Sequence, residues 1–181
     1  WVQENPPYIG WHWTSGLESG LRLIQFVWMD ALLARSKLSG QSTALARLRA
    51  SVLPPHLWFT WRDRSFGSSA NNHLIGELAG LITALVRWPS LTRWAASLEQ
   101  VQPLWEREVM TQFAADGGNR EQALNYHLFS WEFCWQARLA LAAAGRQISP
   151  EVEDRLRTAA SFFSAVQIED QPWDYGDSDN A

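Results

Sequence analysis

The 181-residue chain contains one cysteine, Cys134, and one lysine, Lys37. A single cysteine excludes an internal disulfide. The net charge is −4 and the chain has no run of basic residues, which excludes the usual electrostatic attraction to nucleic acid. No apolar stretch approaches the length of a membrane-spanning helix. The four histidines are far apart and no metal-ligand spacing occurs, so we predict neither a metal site nor a cofactor.

Tryptophan, by contrast, is abundant, with twelve residues spread over the whole chain. An indole ring stacks on the apolar face of a sugar while its N–H reaches a hydroxyl, so a cleft lined by tryptophan suits carbohydrate. An aromatic-rich core or a domain interface explains the same composition. Composition alone leaves both interpretations open.

The pattern of apolar residues predicts an all-α chain, because strand signals are absent before the tail. Proline and glycine mark most of the expected boundaries, with Pro54 and Pro55 breaking one helix and Pro103 kinking another. The predicted helices cover about 15–37, 43–52, 56–66, 72–88, 91–113, 120–144 and 150–166. Short connections between them predict antiparallel hairpins, arranged either as a compact bundle or around an axis as an α/α toroid.

One helix start carries a polar group of residues, 68–77, in which Asn71 or Ser69 is the expected N-cap. Asn72 and His73 then lie in the first turn, where free N–H donors and the helix dipole favour an anion such as a carboxylate. The alternative is that Asn72 only caps the helix and that His73 only packs, held by Glu77 one turn later. The spaced glycines Gly76 and Gly80 predict a close approach by another helix.

Glu18 and Arg22 are four residues apart and so share one face of the first helix. They form either a surface ion pair worth a few tenths of a kcal/mol or a site in which Arg22 faces a cleft and binds an anionic group with two hydrogen bonds.

Taken together, residues 68–77, then 116–122, then Tyr126 and His127 resemble the α-helical domain of the heparinase II/III-like polysaccharide lyases, which include alginate and oligoalginate lyases. The segment Trp11–Trp13 with Glu18 and Arg22 resembles the first helix of that domain. The tail at 175–179 resembles the link into the second, antiparallel β domain of the family. The resemblance covers nearly the whole chain.

The resemblance implies an incomplete α/α toroid of antiparallel hairpins at 1–170, with 171–181 leading to a C-terminal antiparallel β domain that this chain lacks. The start at Trp1, without methionine, fits the same expectation of a piece from a longer or processed protein. The β domain closes the substrate cleft in the family, so the isolated segment is expected to be weakly active or inactive. The family also implies a periplasmic or secreted protein.

The implied reaction is β-elimination at a uronic acid of an anionic polysaccharide, with Asn72, His73 and Tyr126 as catalytic residues. Asn72 and His73 neutralise the uronate carboxylate, onto which charge moves when the C5 proton leaves. Tyr126 acts at C5 and at the leaving oxygen, and because a free phenol has a pKa near 10 it needs cationic neighbours. The substrate-binding candidates are Trp13, Arg22, Asn71, Glu77, Arg120 and Gln122.

Two other functions fit the sequence less specifically. One is an α/α-toroid glycoside hydrolase that uses a pair of carboxylates, for which Asp116, Glu121 and Glu77 are available. The other is a non-catalytic helical module that binds acidic glycans through tryptophan and arginine. The scarcity of lysine favours an unsulfated uronate polymer as the substrate.

Overall fold

A computed structural model describes residues 3–36, 41–67, 70–168, 171–172 and Gly176. Within these residues the all-α prediction is confirmed: seven α-helices are joined by short turns and 3₁₀ segments. A two-residue antiparallel pairing of Gln167–Ile168 with Gln171–Pro172 is the exception. The helices are α1 Gly16–Arg35, α2 Gln41–Arg47, α3 Leu53–Arg62, α4 Asn72–Arg87, α5 Leu98–Gln112, α6 Leu124–Ala143 and α7 Pro150–Ala165.

Helix α4 lies at the centre, with thirteen of its sixteen residues buried. It packs between α1 and α6. All three run in the same direction, since the last residues of α4 and α6, Arg87 and Ala143, line one cavity. Gly16 at the start of α1 lies against Glu77, whereas Asp30 near the end of α1 binds Arg87 at the end of α4. Gly76 in the first half of α4 lies against Phe133 of α6. The starts of α1, α4 and α6 therefore lie at one end of the molecule.

A second set of helices, α3, α5 and α7, runs in the opposite direction behind this layer. His56 of α3 contacts Arg22, while the carbonyl of Asp63, just after α3, lies beside the start of α1 at Gly16. Gln112 at the end of α5 reaches Ala70 just before α4. His127 binds the carbonyl of Ala159, so α6 and α7 also form an antiparallel pair. Within the described residues, α1 with α3, α4 with α5 and α6 with α7 thus form three antiparallel pairs.

Helices α1 and α4 approach closely through glycine, as Gly76 and Gly80 predict. A Cβ on Gly80 would lie 2.5 Å from the carbonyl oxygen of Gly20, and a Cβ on Gly20 would lie 3.0 Å from the Cα of Glu77. Because backbone meets backbone here, only glycine fits at this crossing.

The helix boundaries expected at Pro54 and Pro55 and at Leu91 are wrong. Pro54 and Pro55 do not break the chain, because a π-helical segment, Leu48–Val52, passes directly into α3 and places the prolines in its first turn, where the missing N–H costs little. Helix α5 begins only at Leu98, where Ser97 and Gln100 form a capping box, and a separate 3₁₀ segment, Pro89–Trp94, precedes it.

No helix within the described ranges is long and apolar enough to cross a membrane. The proposed link at 171–181 and the tail motif at 175–179 fall almost entirely outside the described residues, as do Ser68 and Ser69. The division at residue 170 therefore stays a prediction.

Candidate functional site

The start of α4 is capped by Asn71, whose side-chain oxygen accepts the backbone N–H of His73 at 3.3 Å. Asn72 is the first residue of the helix and only 4% exposed, whereas Asn71 and His73 are half-buried. Of the two expected caps, Asn71 is therefore the one that acts. Asn72 is not the cap, so its side chain is available for another partner.

That partner is the carboxylate of Glu121. Asn72 donates its backbone N–H to one oxygen of Glu121 at 2.9 Å and its side-chain N–H to the other at 2.6 Å. An anion does bind at this helix start, as the dipole favours, and in this structure it comes from the chain itself. The contact brings the two separated sequence motifs, 68–77 and 116–122, together at one end of the molecule.

The segment that carries Glu121 is held by its own backbone. Ala114 donates to the carbonyl of Gly118 at 2.8 Å and Arg120 donates to that of Gln112 at 2.9 Å. The N–H of Glu121 binds the side-chain oxygen of Asn119 at 2.8 Å. Helix α6 begins only after this loop, four residues later than the sequence predicts, so Glu121 is a loop residue rather than a helical one.

Tyr126 lies in the first turn of α6 and is half-buried. The neighbouring His127 is buried and points to α7, where its Nε2–H binds the carbonyl of Ala159 at 2.9 Å. Burial lowers the pKa of His127. His127 is thus a neutral packing residue that joins α6 to α7.

Glu77 is fully buried one turn into α4, and its partner is Ser65 rather than His73. The carboxylate accepts the backbone N–H of Ser65 at 2.8 Å and its hydroxyl at 2.7 Å. Burial raises the pKa of Glu77 to about 7, although the hydrogen bonds from Ser65 oppose this. In this arrangement Glu77 supports the segment that precedes α4 and presents no open surface.

Arg22 belongs to a second cluster, at the start of α1. Its Nε–H donates to Nε2 of His56 at 3.1 Å and its Nη2 donates to the carbonyl of His12 at 2.5 Å. Glu18 is 3.9 Å away, the distance of a weak ion pair. The ion pair with Glu18 is therefore present, whereas binding of an anionic group by Arg22 stays a prediction.

His56 is the residue that sequence reasoning missed. Its Nδ1 binds the carbonyl of Val52 at 2.7 Å, so the proton is on Nδ1 and Nε2 accepts from Arg22. Burial, followed by the charge of Arg22, lowers its pKa to about 4, although the bond to Val52 opposes this. The sequence did indicate that His56 is buried, because position 56 lies on the same helical face as Leu53 and Thr60, which are both buried.

The tryptophans divide between core and surface. Trp13 is buried against His56 and Phe59, and the guanidinium of Arg22 lies 5.6 Å from its ring centre. Trp11 is 89% exposed and Trp58 is 41% exposed. The core explanation therefore holds for Trp13, whereas stacking of the exposed rings on carbohydrate stays a prediction.

The remaining candidates, Arg120 and Gln122, are exposed on the loop before α6. Gln122 has a φ of 54°, a left-handed conformation unusual outside glycine. The structure thus gathers Asn71, Asn72 and His73 with the loop of Arg120 and Gln122. Trp13 and Arg22 form their own cluster, which lies at the same end of the molecule because α1 and α4 start there.

No cluster of three histidine, cysteine, aspartate or glutamate side chains capable of holding a metal ion occurs in the part of the chain that is described. No known protein family, curated protein or solved structure matches the chain.

Proposed function

We propose that the chain is the helical part of a polysaccharide lyase that cleaves a uronic-acid polymer by β-elimination. The observation that supports this most strongly is the hydrogen-bonded junction between Asn72 and Glu121. It joins the start of α4, which carries the Asn-His pair, to the loop that leads into Tyr126. Two motifs that are 49 residues apart in the chain thereby belong to one surface.

In the proposed reaction the substrate carboxylate binds at Asn72 and His73. Removal of the C5 proton shifts negative charge onto that carboxylate, and amide and imidazole donors stabilise the charge as it develops. Tyr126 takes the C5 proton as a phenolate and, once protonated, gives a proton to the departing glycosidic oxygen. The N-terminus of α6, where Tyr126 lies, favours negative charge on a first-turn side chain.

The finer fold in this proposal is an incomplete α/α toroid. Its support is the arrangement of α1, α4 and α6 as parallel neighbours, each backed by an antiparallel helix. A repeated hairpin of this kind produces a curved double layer with the helix starts along one rim. The substrate would lie along that rim, beside the Trp13 and Arg22 cluster, and the β domain of the same protein would close the cleft.

The two rival functions are weaker. Hydrolysis needs two carboxylates facing each other across the bond, whereas Glu121 binds Asn72, Glu77 binds Ser65 and Asp116 binds the N–H of Gly118. A non-catalytic glycan-binding module gains support from the exposed rings of Trp11 and Trp58. Such rings suit sugar stacking in an enzyme as well.

The test uses the protein in its full natural length with a panel of uronic-acid polysaccharides, sulfated and unsulfated. Elimination creates a C4–C5 double bond conjugated with the carboxylate, which absorbs ultraviolet light. We expect absorbance to rise with an unsulfated polymer, and Tyr126→Phe to abolish the rise while binding of the polymer is kept. Glu132→Gln, which alters an exposed side chain of α6 outside the proposed reaction, should retain activity.

Three outcomes would contradict the proposal. Shortened polymers without new absorbance would mean hydrolysis. Binding without cleavage across the panel would support the glycan-binding module. An active Tyr126→Phe variant would remove Tyr126 from the reaction. Periplasmic or secreted residence belongs to the same proposal, because the polymer lies outside the cytoplasm.

A further inference from the structure

Glu121 makes two hydrogen bonds to a single residue, one to the backbone and one to the side chain of Asn72, at 2.9 and 2.6 Å. Asn72 is 4% exposed, so water competes little for these bonds. Charge-assisted bonds of this length are stronger than neutral ones and are directional. Together they fix both the start of α4 and the rotamer of its first side chain.

The pair also determines which way the amide of Asn72 faces. A carboxylate only accepts hydrogen bonds, so the NH₂ group and not the oxygen of Asn72 must face Glu121. One of the two amide hydrogens is used in this bond. The second amide hydrogen then has a fixed direction, whereas an amide with a neutral partner is free to present its oxygen instead.

Glu121 is itself restrained, since its N–H binds Asn119 and the adjacent Arg120 N–H binds Gln112. The carboxylate therefore transmits the position of this loop to α4. Helix α6 with Tyr126 begins three residues after Glu121. The same contact that orients Asn72 thus sets the start of α4 relative to the start of α6.

We propose that Glu121 is a positioning residue of the lyase site: it holds the amide of Asn72 with one N–H directed to the substrate carboxylate and keeps Asn72 and Tyr126 in register. This inference rests on the function proposed above. Glu121 does not touch the substrate. The alternative is that the Glu121 carboxylate occupies the position of the substrate carboxylate in the free protein and is displaced when the substrate binds.

The test compares Glu121→Gln with the wild type in the full-length protein on the most active polymer. Glutamine has the same shape but only one accepting oxygen, so one of the two Asn72 donors meets another donor. Small misplacements of reacting groups cost up to about a hundredfold in rate. We expect kcat to fall about tenfold to a hundredfold while KM changes less than about threefold.

Two further variants make the result specific. Glu121→Asp keeps the charge and both oxygens on a shorter side chain, so it should recover part of the lost kcat. Glu132→Gln removes the same charge from an exposed position on α6 and should match the wild type. Circular dichroism identifies any variant that fails to fold, and the Asp variant then carries the comparison.

A spectroscopic measurement separates failure of this inference from failure of the proposed function. The side-chain amide of Asn72, assigned in a ¹H–¹⁵N spectrum by its loss in Asn72→Asp, should show one strongly downfield hydrogen that Glu121→Gln removes and Glu132→Gln retains. A wild type with this signal but no elimination product would overturn the function and, with it, the role of Glu121 in positioning groups for that reaction. An active wild type with unchanged kcat in Glu121→Gln would overturn the positioning role alone. A lowered KM in Glu121→Gln would instead show that the substrate displaces the Glu121 carboxylate when it binds.

Discussion

The two ends of α4 hold carboxylates in opposite ways. At the C-terminal end Asp30 is fully buried, and each of its oxygens accepts two bonds from an arginine. Arg49 binds one oxygen at 2.8 and 3.0 Å, and Arg87 binds the other at 2.7 and 2.8 Å. This one carboxylate therefore has two guanidinium partners, and α1, α4 and the segment after α2 are joined at one point.

At the N-terminal end the hydrogen-bond donors to the carboxylates are neutral groups. Glu121 is bound by the backbone and amide of Asn72, and Glu77 by the backbone and hydroxyl of Ser65. Neutral donors offset the cost of burying charge only in part. The raised pKa of Glu77 is the visible result of this incomplete compensation.

The difference between the two ends is one of charge compensation. A buried acid bound by two guanidinium groups holds helices together. Acids that are buried at a cost, with pKa values displaced toward neutrality, concentrate at functional sites. The contrast therefore agrees with placing the proposed lyase site at the N-terminal end of α4.

The largest expected effect on stability comes from removing the two arginines that bind Asp30 at the C-terminal end of α4. Replacing Arg49 and Arg87 together by methionine leaves Asp30 buried without a counter-charge. Breaking a buried ion pair by removing one side costs about 3–5 kcal/mol, and we expect about 5 kcal/mol here because both partners go. Urea denaturation at neutral pH measures the loss.

The matched control is the double variant with methionine at Arg35 and Arg47, two exposed arginines on α1 and α2. It removes the same net charge and should cost less than about 1 kcal/mol. Adding Asp30→Asn to the first double variant should restore part of the lost stability. Equal losses in the two double variants would show that the buried pairs have no special role.

The next effect is a pH dependence that belongs to the N-terminal end. The pKa of Glu77 is about 7 in the folded protein against an ordinary 4.5. A raised pKa stabilises the fold at low pH, and this stability is lost as pH rises from about 4.5 to about 7. The pKa difference corresponds to a loss on the order of 3 kcal/mol, which Glu77→Gln should remove.

His56 opposes this trend in nearly the same range. Its pKa is about 4 against an ordinary 6.5, so its contribution is present above pH 6.5 and is lost as pH falls toward 4. The wild type should then change little between pH 4.5 and 6.5, whereas Glu77→Gln should become more stable as pH rises. Thermal unfolding across this range measures both. A wild-type profile that Glu77→Gln leaves unaltered would contradict the assignment.

Much of the fold was predictable because its cause is local. The apolar stripe of α4, its Asn71 cap and the glycines Gly76 and Gly80 each act through neighbours in sequence, and each prediction is confirmed. The break at Pro54 was wrong for a physical reason. A proline lacks a donor, and a change to π-helical hydrogen bonding accommodates it, which tertiary packing favours here but local pattern does not reveal.

The candidate site was predictable in its residues but not in its partners. Asn72 and His73 were expected at a helix start that attracts an anion, yet the anion is Glu121, 49 residues away from Asn72. Nor did spacing predict that Glu77 binds Ser65 or that His56 orients Arg22. Such pairings depend on which helices become neighbours, and one sequence by itself does not contain that information in local form.

The smallest of the three effects concerns the glycine contact between α1 and α4. This contact lies between the two ends of α4, and the test asks whether it couples them. In Gly80→Ala the new Cβ would lie 2.5 Å from the carbonyl oxygen of Gly20, so the helices must separate. Alanine favours a helix over glycine by about 1 kcal/mol, so any net loss reports packing alone. We expect a net loss of about 2 kcal/mol in urea denaturation.

Gly118→Ala is the control, because its Cβ would meet only the side chains of Asp116 and Phe162, at 3.3 and 3.4 Å, which can yield. A Gly80→Ala variant with a higher free energy of unfolding than the wild type would mean that α1 and α4 separate at little cost. The contact would then not couple the two ends of α4.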